Sequence, residues 1–248
     1  MSKSARKLVV CEAHEIIDST YFLELSELRI IQLCLAKVFV KEGIQEDIWY
    51  PVDKKLYADT FNVTEETAYE ALLQAAKQLM SRSITLKSCL LDETISEKSR
   101  SKTVIGWVSN IRYNNDTMQL ELKWSSGLVK ILNKLGLEYP YSKYYLDHSS
   151  GLKSLHAMRL YRLLNRYAYC HHATLELEEF LKLMGIGLSK EESAYSEFKY
   201  LNKYILKPTI ENINSNTNLT VSVSTIKLAR RVHKLHFKIN KKANCMLD

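Results

Sequence analysis

Apolar residues recur at helical spacing in several stretches of the chain. Leu28, Ile31, Leu35 and Val38 line one face of a segment from Leu25 to Val40, with Ser26 placed to cap it. Asp53 to Phe61 reads as a short helix, and Thr64 opens a longer one that reaches Met80. Beyond Arg82 the pattern changes to strands at Ile84–Leu91, Thr103–Tyr113 and Met118–Trp124. The polar stretch from Asp92 to Lys102 reads as the tip of a long hairpin, and Asn114-Asn115-Asp116 as a tight turn. A helix from Ser126 to Leu135 should stop at Gly136, followed by an extended aromatic segment from Tyr139 to Gly151. Then come an amphipathic helix (Ser154–Tyr169), a short helix (Leu177–Met184), a Gly185/Gly187 turn and a long helix (Ser193–Asn214). Two β runs, Leu219–Ile226 and Val232–Ile239, end the pattern.

Helix, short helix, long helix and hairpin thus occur twice. Shifted by 126 positions, Glu66–Ile84 lies over Glu192–Ile210, with identities at Glu66/Glu192, Ala68/Ala194, Tyr69/Tyr195, Lys77/Lys203 and Ile84/Ile210. Three helices followed by a hairpin are the winged-helix variant of helix-turn-helix. The expected fold is therefore α+β: two tandem winged-helix domains related by internal duplication, at residues 1–146 and 147–248. With only three prolines and seven glycines, long flexible linkers are not expected.

Composition narrows the function. The chain is 46% hydrophobic and 25% charged, the balance of a soluble globular protein. It has no apolar run of about 18 residues to cross a membrane. The apolar stretch near the N-terminus is too short for a signal peptide, so a cytoplasmic location is expected. Five cysteines stand singly, without a C-x-x-C pair, which argues against disulfides and zinc. Cys170-His171-His172 reads as a helix end rather than a ligand set, and no metal or cofactor is expected. There is no Walker A loop, and the His-apolar-His pair of a rolling-circle nuclease is missing, so an enzyme is not expected. Charge is asymmetric: residues 1–150 hold 19 Lys and Arg against 20 Asp and Glu, whereas residues 151–248 hold 16 against 8. That excess suggests a face for a polyanion.

In the long helix of the second copy, Phe198, Leu201 and Ile205 should face the core at 100° per residue. Ser196, Lys199, Tyr200, Lys203 and Lys207 should face outward, toward a major groove. At the hairpin tip, Lys227, Arg230, Arg231, His233 and Lys234 come together without an acidic residue and suit phosphate contacts. The weaker counterparts in the first copy are Thr64, Thr67, Gln74, Lys77 and Gln78 on the helix, whose amides could read bases, and Lys98, Arg100 and Lys102 on the hairpin, with Glu65, Glu66 and Glu70 opposing phosphates. The second domain should supply more of the affinity for double-stranded DNA.

Three segments, "LHAMRLYRLLNRY" (155–167), "LELEEFLKLMGI" (175–186) and "YSEFKYLNKYILKPTIENINSNTNLTVS" (195–222), resemble the initiator proteins of iteron-containing, theta-replicating plasmids. Looser similarity, as in "ELSELRIIQLCLAKV", extends over nearly the whole chain. The resemblance implies two winged-helix domains on opposite ends of a directly repeated origin site. It also implies a monomer that initiates replication and a dimer, joined mainly through the first domain, that represses its own gene. Host replication proteins would be further partners. A winged-helix transcription regulator without an initiation role is the alternative. Such a regulator usually carries a separate sensor domain, for which two complete copies leave no room.

Overall fold

The computed structural model describes residues 8–37, 43–114, 116–117, 119–135, 137–187 and 197–242. The chain divides into two compact units between Ser150 and Gly151. In the first, β1 (Val9–Ala13), α1 (His14–Ile17) and β2 (Thr20–Tyr21) precede α2 (Leu25–Lys37), β3 (Tyr50–Asp53), α3 (Lys54–Phe61) and α4 (Glu65–Gln78). Then come β4 (Ser83–Lys87), β5 (Lys102–Gly106), β6 (Val108–Asn114), β7 (Gln119–Trp124), α5 (Ser126–Asn133), β8 (Tyr141–Tyr145) and α6 (Asp147–Ser150).

The apolar stripes read from sequence are the buried ones. Leu28, Ile31 and Leu35 of α2 pack inward, as do Tyr57 and Phe61 of α3 and Ala68, Leu72 and Ala75 of α4. Caps set the helix starts: Asp53 accepts from the Leu56 N–H at 2.6 Å and Thr64 from the Thr67 N–H at 3.2 Å. Ser26 is not a cap but lies in the first turn of α2. The Glu24 N–H there donates to Glu27 Oε2 at 2.7 Å, one half of a capping box. The stretch 38–42, into which α2 was expected to continue, lies outside the described residues.

The strand expected over Thr103–Tyr113 is two strands in two sheets. β5 pairs with β4 in the order β2-β4-β5, and β6 pairs with β7 in the order β3-β7-β6. The chain changes sheets at Trp107, whose buried ring meets Tyr21 edge-on at 5.4 Å. Alternation along a sequence does not reveal which sheet each half joins. The expected turn after β6 is present: Asn114 Oδ1 accepts from the N–H groups of Asp116 and Thr117. A further two-stranded sheet pairs β1 with β8, Val9 opposite Tyr145, and was not foreseen.

The second unit comprises α7 (Leu155–Arg166), β9 (His172–Glu176), α8 (Leu177–Met184), a helix over 198–216, β10 (Leu219–Leu228) and β11 (Arg231–Lys241). Its sheet order is β10-β11-β9. Cys170 and His171 lie in the turn after α7, and His172 opens β9, a strand the sequence reading did not include. Phe180, Leu201, Ile213, Leu235 and Phe237 are buried between helices and sheet.

The repeat is architectural, but its register is not uniform. Ile84 lies in β4 whereas Ile210, its partner at a shift of 126, lies in a helix. The left-handed residue ending the short helix is Asn62 in one copy and Gly185 in the other. The next strand begins thirteen residues later in the second copy (Gly185 to Leu219) than in the first (Asn62 to Ser83), but β4 joins the β2-β4-β5 sheet, and it is the order β3-β7-β6 that matches β9-β11-β10. Glu192, Ala194 and Tyr195 of the alignment lie outside the described residues. No described helix is long and apolar enough to cross a membrane.

Candidate nucleic-acid interface

The second domain holds its helix-turn-helix by a buried arginine. The Arg159 Nη1 of α7 donates to the Met184 carbonyl at the end of α8, at 2.7 Å. Gly185 follows with φ +70°, and a Cβ there would lie 1.8 Å from the same nitrogen. Only glycine meets both demands, the left-handed backbone and the close approach. Two residues on, the Tyr161 hydroxyl donates to Asn218 Oδ1 at 2.9 Å, fixing the approach to β10. Arg159 and Tyr161, both within the 155–167 segment, therefore serve architecture, one holding the end of α8 and the other the approach to β10.

The 198–216 helix is tied to the hairpin by Asn214. Its side-chain amide donates to the Val221 carbonyl at 2.9 Å and accepts from the Val221 N–H at 2.6 Å. Within the helix, an α turn (Phe198–Tyr200) leads into a π-helical stretch (Leu201–Leu206) and back into α (Lys207–Asn216). Leu201 and Ile205 face the core as expected, whereas Phe198 is only half-buried. Lys199, Tyr200, Lys203 and Lys207 are all exposed, and Ser196 lies outside the described residues. Sequence reading at a uniform 100° per residue missed Tyr204, which is also exposed on this helix. Asn214 was missed as well; a short polar residue in a helix gives no sign of which strand it reaches.

At the hairpin tip, Lys227, Arg230 and Arg231 are exposed around the left-handed Ala229. The pairing shifts after Ile226, leaving His233 as the extra residue of a bulge. Lys234 departs from the expected tip cluster. It sits in the body of the strand opposite Glu176 of β9, with Nζ 3.3 Å from that carboxylate. Cross-strand partners this far apart in sequence were invisible to a count of local charges. Among the described residues, no carboxylate lies within 4 Å of Lys199, Lys203, Lys207, Lys227, Arg230 or Arg231, so their charge is available to an anion.

In the first domain the corresponding helix is bound up with its own neighbours. Thr64 caps α4 and its hydroxyl lies 3.1 Å from that of Thr67. Lys54 pairs with Glu65 at 2.8 Å, and the backbone N–H of Glu66 together with the Thr64 hydroxyl holds the Glu66 carboxyl below the usual carboxylate range. Gln74 donates to Glu24, and Gln78 accepts from Arg82, so both amides are engaged. Arg82 also donates to both oxygens of the fully buried Glu27, at 2.9 and 3.0 Å. Lys77 is exposed on α4, and Lys98, Arg100 and Lys102 are exposed along the loop into β5. Lys102 stands opposite Lys87 across the ladder.

The geometry is that of two winged helices, each with a helix presented beside a hairpin. Residues 9–165 match the family described as Initiator Replication protein, WH1, and residues 176–239 the one described as Initiator Rep protein, WH2. A replication initiation protein of Escherichia coli is 26% identical over 240 residues, covering 94% of this chain and 70% of the relative. The fold is shared with the crystal structure of Pi initiator protein in complex with iteron DNA, at a TM-score of 0.82 and 19% identity, covering 96% of this chain and 99% of that one. The chain belongs to the family of replication initiator proteins with two winged-helix domains.

Proposed function

We propose that the chain initiates plasmid replication by binding directly repeated origin DNA sequence-specifically, with the second domain as the principal reader. The observation that carries this reading is the 198–216 helix, where Lys199, Tyr200, Lys203 and Lys207 are all exposed, in a domain whose β10–β11 hairpin ends in a cationic tip. A helix fits the major groove and reads base edges there, while the hairpin's cations meet phosphates. The Pi initiator was crystallised with iteron DNA, which supports the same class of target for this chain. In the first domain, Thr64, Thr67, Lys77, Lys98, Arg100 and Lys102 make secondary contacts.

The protein acts by binding and not by catalysis, in the cytoplasm. As a monomer it opens the origin with host replication proteins, and as a dimer it represses its own gene. The test is binding of the purified chain to the DNA flanking its gene. Direct repeats of about two helical turns should be protected. They should be preferred over scrambled duplex by about a thousandfold or more, with supercoiled DNA left unnicked in the presence of divalent metal. Equal affinity for both duplexes would defeat the specific reading, and site-directed nicking would defeat the non-catalytic one.

A further inference from the structure

The π turn in the 198–216 helix has a cause in the sequence. A proline inside a helix lacks the N–H that would reach the carbonyl four residues back, here that of Tyr204, and its ring crowds that carbonyl. In the first turn of an α segment the same proline is well tolerated. Widening the turn over Leu201–Leu206 lets α-helix restart at Lys207 with Pro208 in its first turn. Bonding from i to i+5 brings Leu201 and Leu206 to one face. Both are buried, and Ile210 and Ile213 continue the stripe at α spacing.

The outer face changes at the same place. Tyr200 and Tyr204 are 40% and 53% exposed, with rings 13° from parallel and centroids 6.3 Å apart. Lys199 Nζ lies 5.9 Å from the Tyr200 ring and Lys203 Nζ 4.8 Å from that of Tyr204. A single exposed tyrosine on a helix needs no explanation. Two stacked tyrosines at a π turn, among the lysines of the helix that a winged fold presents to a groove, are a different matter, because π turns concentrate at functional sites. Glu211, beyond Lys207, is the one acid within the helix and lies past this cluster. Lysine ammonium groups can meet phosphates, guanine O6 and N7, and other acceptors. They cannot sense the one apolar group on a major-groove base edge, the C5 methyl of thymine. A ring can.

We propose that Tyr204 is a specificity-determining residue whose ring packs on a thymine C5 methyl of the bound site, with Tyr200 stacked beside it to fix the ring's orientation. This rests on the reading of the 198–216 helix as the groove-entering one. The test uses the intact chain to select duplexes from a randomised pool, then replaces each thymine of the selected site by uracil, which removes only the methyl. At one thymine of the site the replacement should weaken wild-type binding about fourfold, the equivalent of burying one methyl group. In Tyr204→Ala that replacement should become neutral, whereas Tyr204→Phe should keep the sensitivity. Both variants should melt like the wild type, since the side chain is half in water. An unchanged thymine-to-uracil profile in Tyr204→Ala, or the absence of any methyl-sensitive thymine, would overturn the proposal while leaving specific binding intact. Failure of the wild type to enrich any sequence would overturn the reading of the domain, and this inference with it.

Discussion

In the first domain the helix at the reading position begins with Glu65 and Glu66, and the arginine behind it, Arg82, is turned inward onto Glu27. In the second domain the corresponding helix is exposed along Lys199, Tyr200, Lys203 and Lys207, and its buried arginine, Arg159, bonds a backbone carbonyl. The same succession of elements thus disposes of charge in two ways. The first domain spends its cations on internal pairs with Lys54, Arg82 and Lys134. The second pairs few of the cations on its presented helix and hairpin tip, leaving them for an external anion. A shared fold therefore does not share out the binding equally, and substitutions should separate a self-bound domain from an outward-facing one.

The largest expected effect is in the first domain. Arg82→Ala leaves Glu27, which is fully buried, without the guanidinium whose Nε–H is shared between its two oxygens, and with the Glu24 N–H still donating to it. Stranding such a charge costs about 3–5 kcal/mol, toward the lower end here because the Arg82 side chain keeps 18% of its surface in water. All three tryptophans, Trp49, Trp107 and Trp124, belong to the first domain, so tryptophan fluorescence reports its unfolding separately from the second. The fluorescence midpoint in urea should fall. An unchanged midpoint would mean that the Arg82–Glu27 pair is not what holds α2 to the strand that follows α4.

Next comes a contrast at the two helix-turn-helix corners. Gly185→Ala puts a Cβ against the Arg159 guanidinium at a backbone angle that L-residues avoid, and should destabilise the second domain by about 3 kcal/mol. Asn62 is also left-handed, at φ 50°, but already carries a side chain there. Asn62→Gly should change the first domain by no more than about 1 kcal/mol in either direction. Far-UV circular dichroism read beside tryptophan fluorescence would tell which domain melts. Equal effects at both corners would break the distinction drawn between them.

These corners also mark how far sequence reading reaches. The short helix Leu177–Met184, the helix starts at Asp53 and Thr64 and the Asn114 turn were legible because each depends on residues within one or two turns of each other, whereas the one cap that was named, Ser26, lies inside its helix. The pairing of Val9–Ala13 with Tyr141–Tyr145 was not, since nothing local in either strand names a partner so distant. The repeat's register failed because the helix of the second copy runs on to Asn216, so Ile210 is still helical where Ile84 has already entered β4, and a shift fixed on the helix starts gives no sign of that extra length. Pro208 was visible in the sequence, yet it was not used as a reason to abandon 3.6 residues per turn at Leu201–Leu206. Of the candidate contacts on the two helices, those among the described residues are exposed as expected, except the half-buried Gln78. Lys234 was not read as paired, because its partner Glu176 comes from a strand that went unrecognised.

Binding separates the domains by smaller amounts. Lys203→Ala should weaken specific binding by about 1–3 kcal/mol if the ammonium reaches a guanine edge. If it meets only phosphate, the loss should be uniform across sequences and the salt slope should fall by roughly one. Lys77→Ala, its counterpart on the acidic α4, should cost less than about 0.5 kcal/mol, the scale of an ordinary surface substitution. Titrations of both variants against specific and scrambled duplex at several salt concentrations would decide it. A Lys77 effect as large as that of Lys203 would make the first domain an equal reader despite Glu65 and Glu66.

The smallest effect tests whether Thr64 is a cap, a contact or both. Its side-chain oxygen accepts from the Thr67 N–H, so Thr64→Ala should cost the first domain about 1 kcal/mol, and Thr64→Ser little. The same hydroxyl helps depress the Glu66 carboxyl, so in Thr64→Ala that pKa should rise toward the ordinary glutamate value. A depressed carboxylate stabilises the fold above its unfolded pKa, and that contribution fades as pH falls through the folded value. Less acid-dependent stability in this region is therefore expected of the variant, readable as a shifted Glu66 titration by NMR. Specific DNA affinity supplies the remaining discrimination. If Thr64→Ala loses stability alone, the residue belongs to the helix; if Thr64→Ala and Thr67→Val both lose discrimination between repeat and scrambled duplex, the start of α4 reaches the bases even past its glutamates.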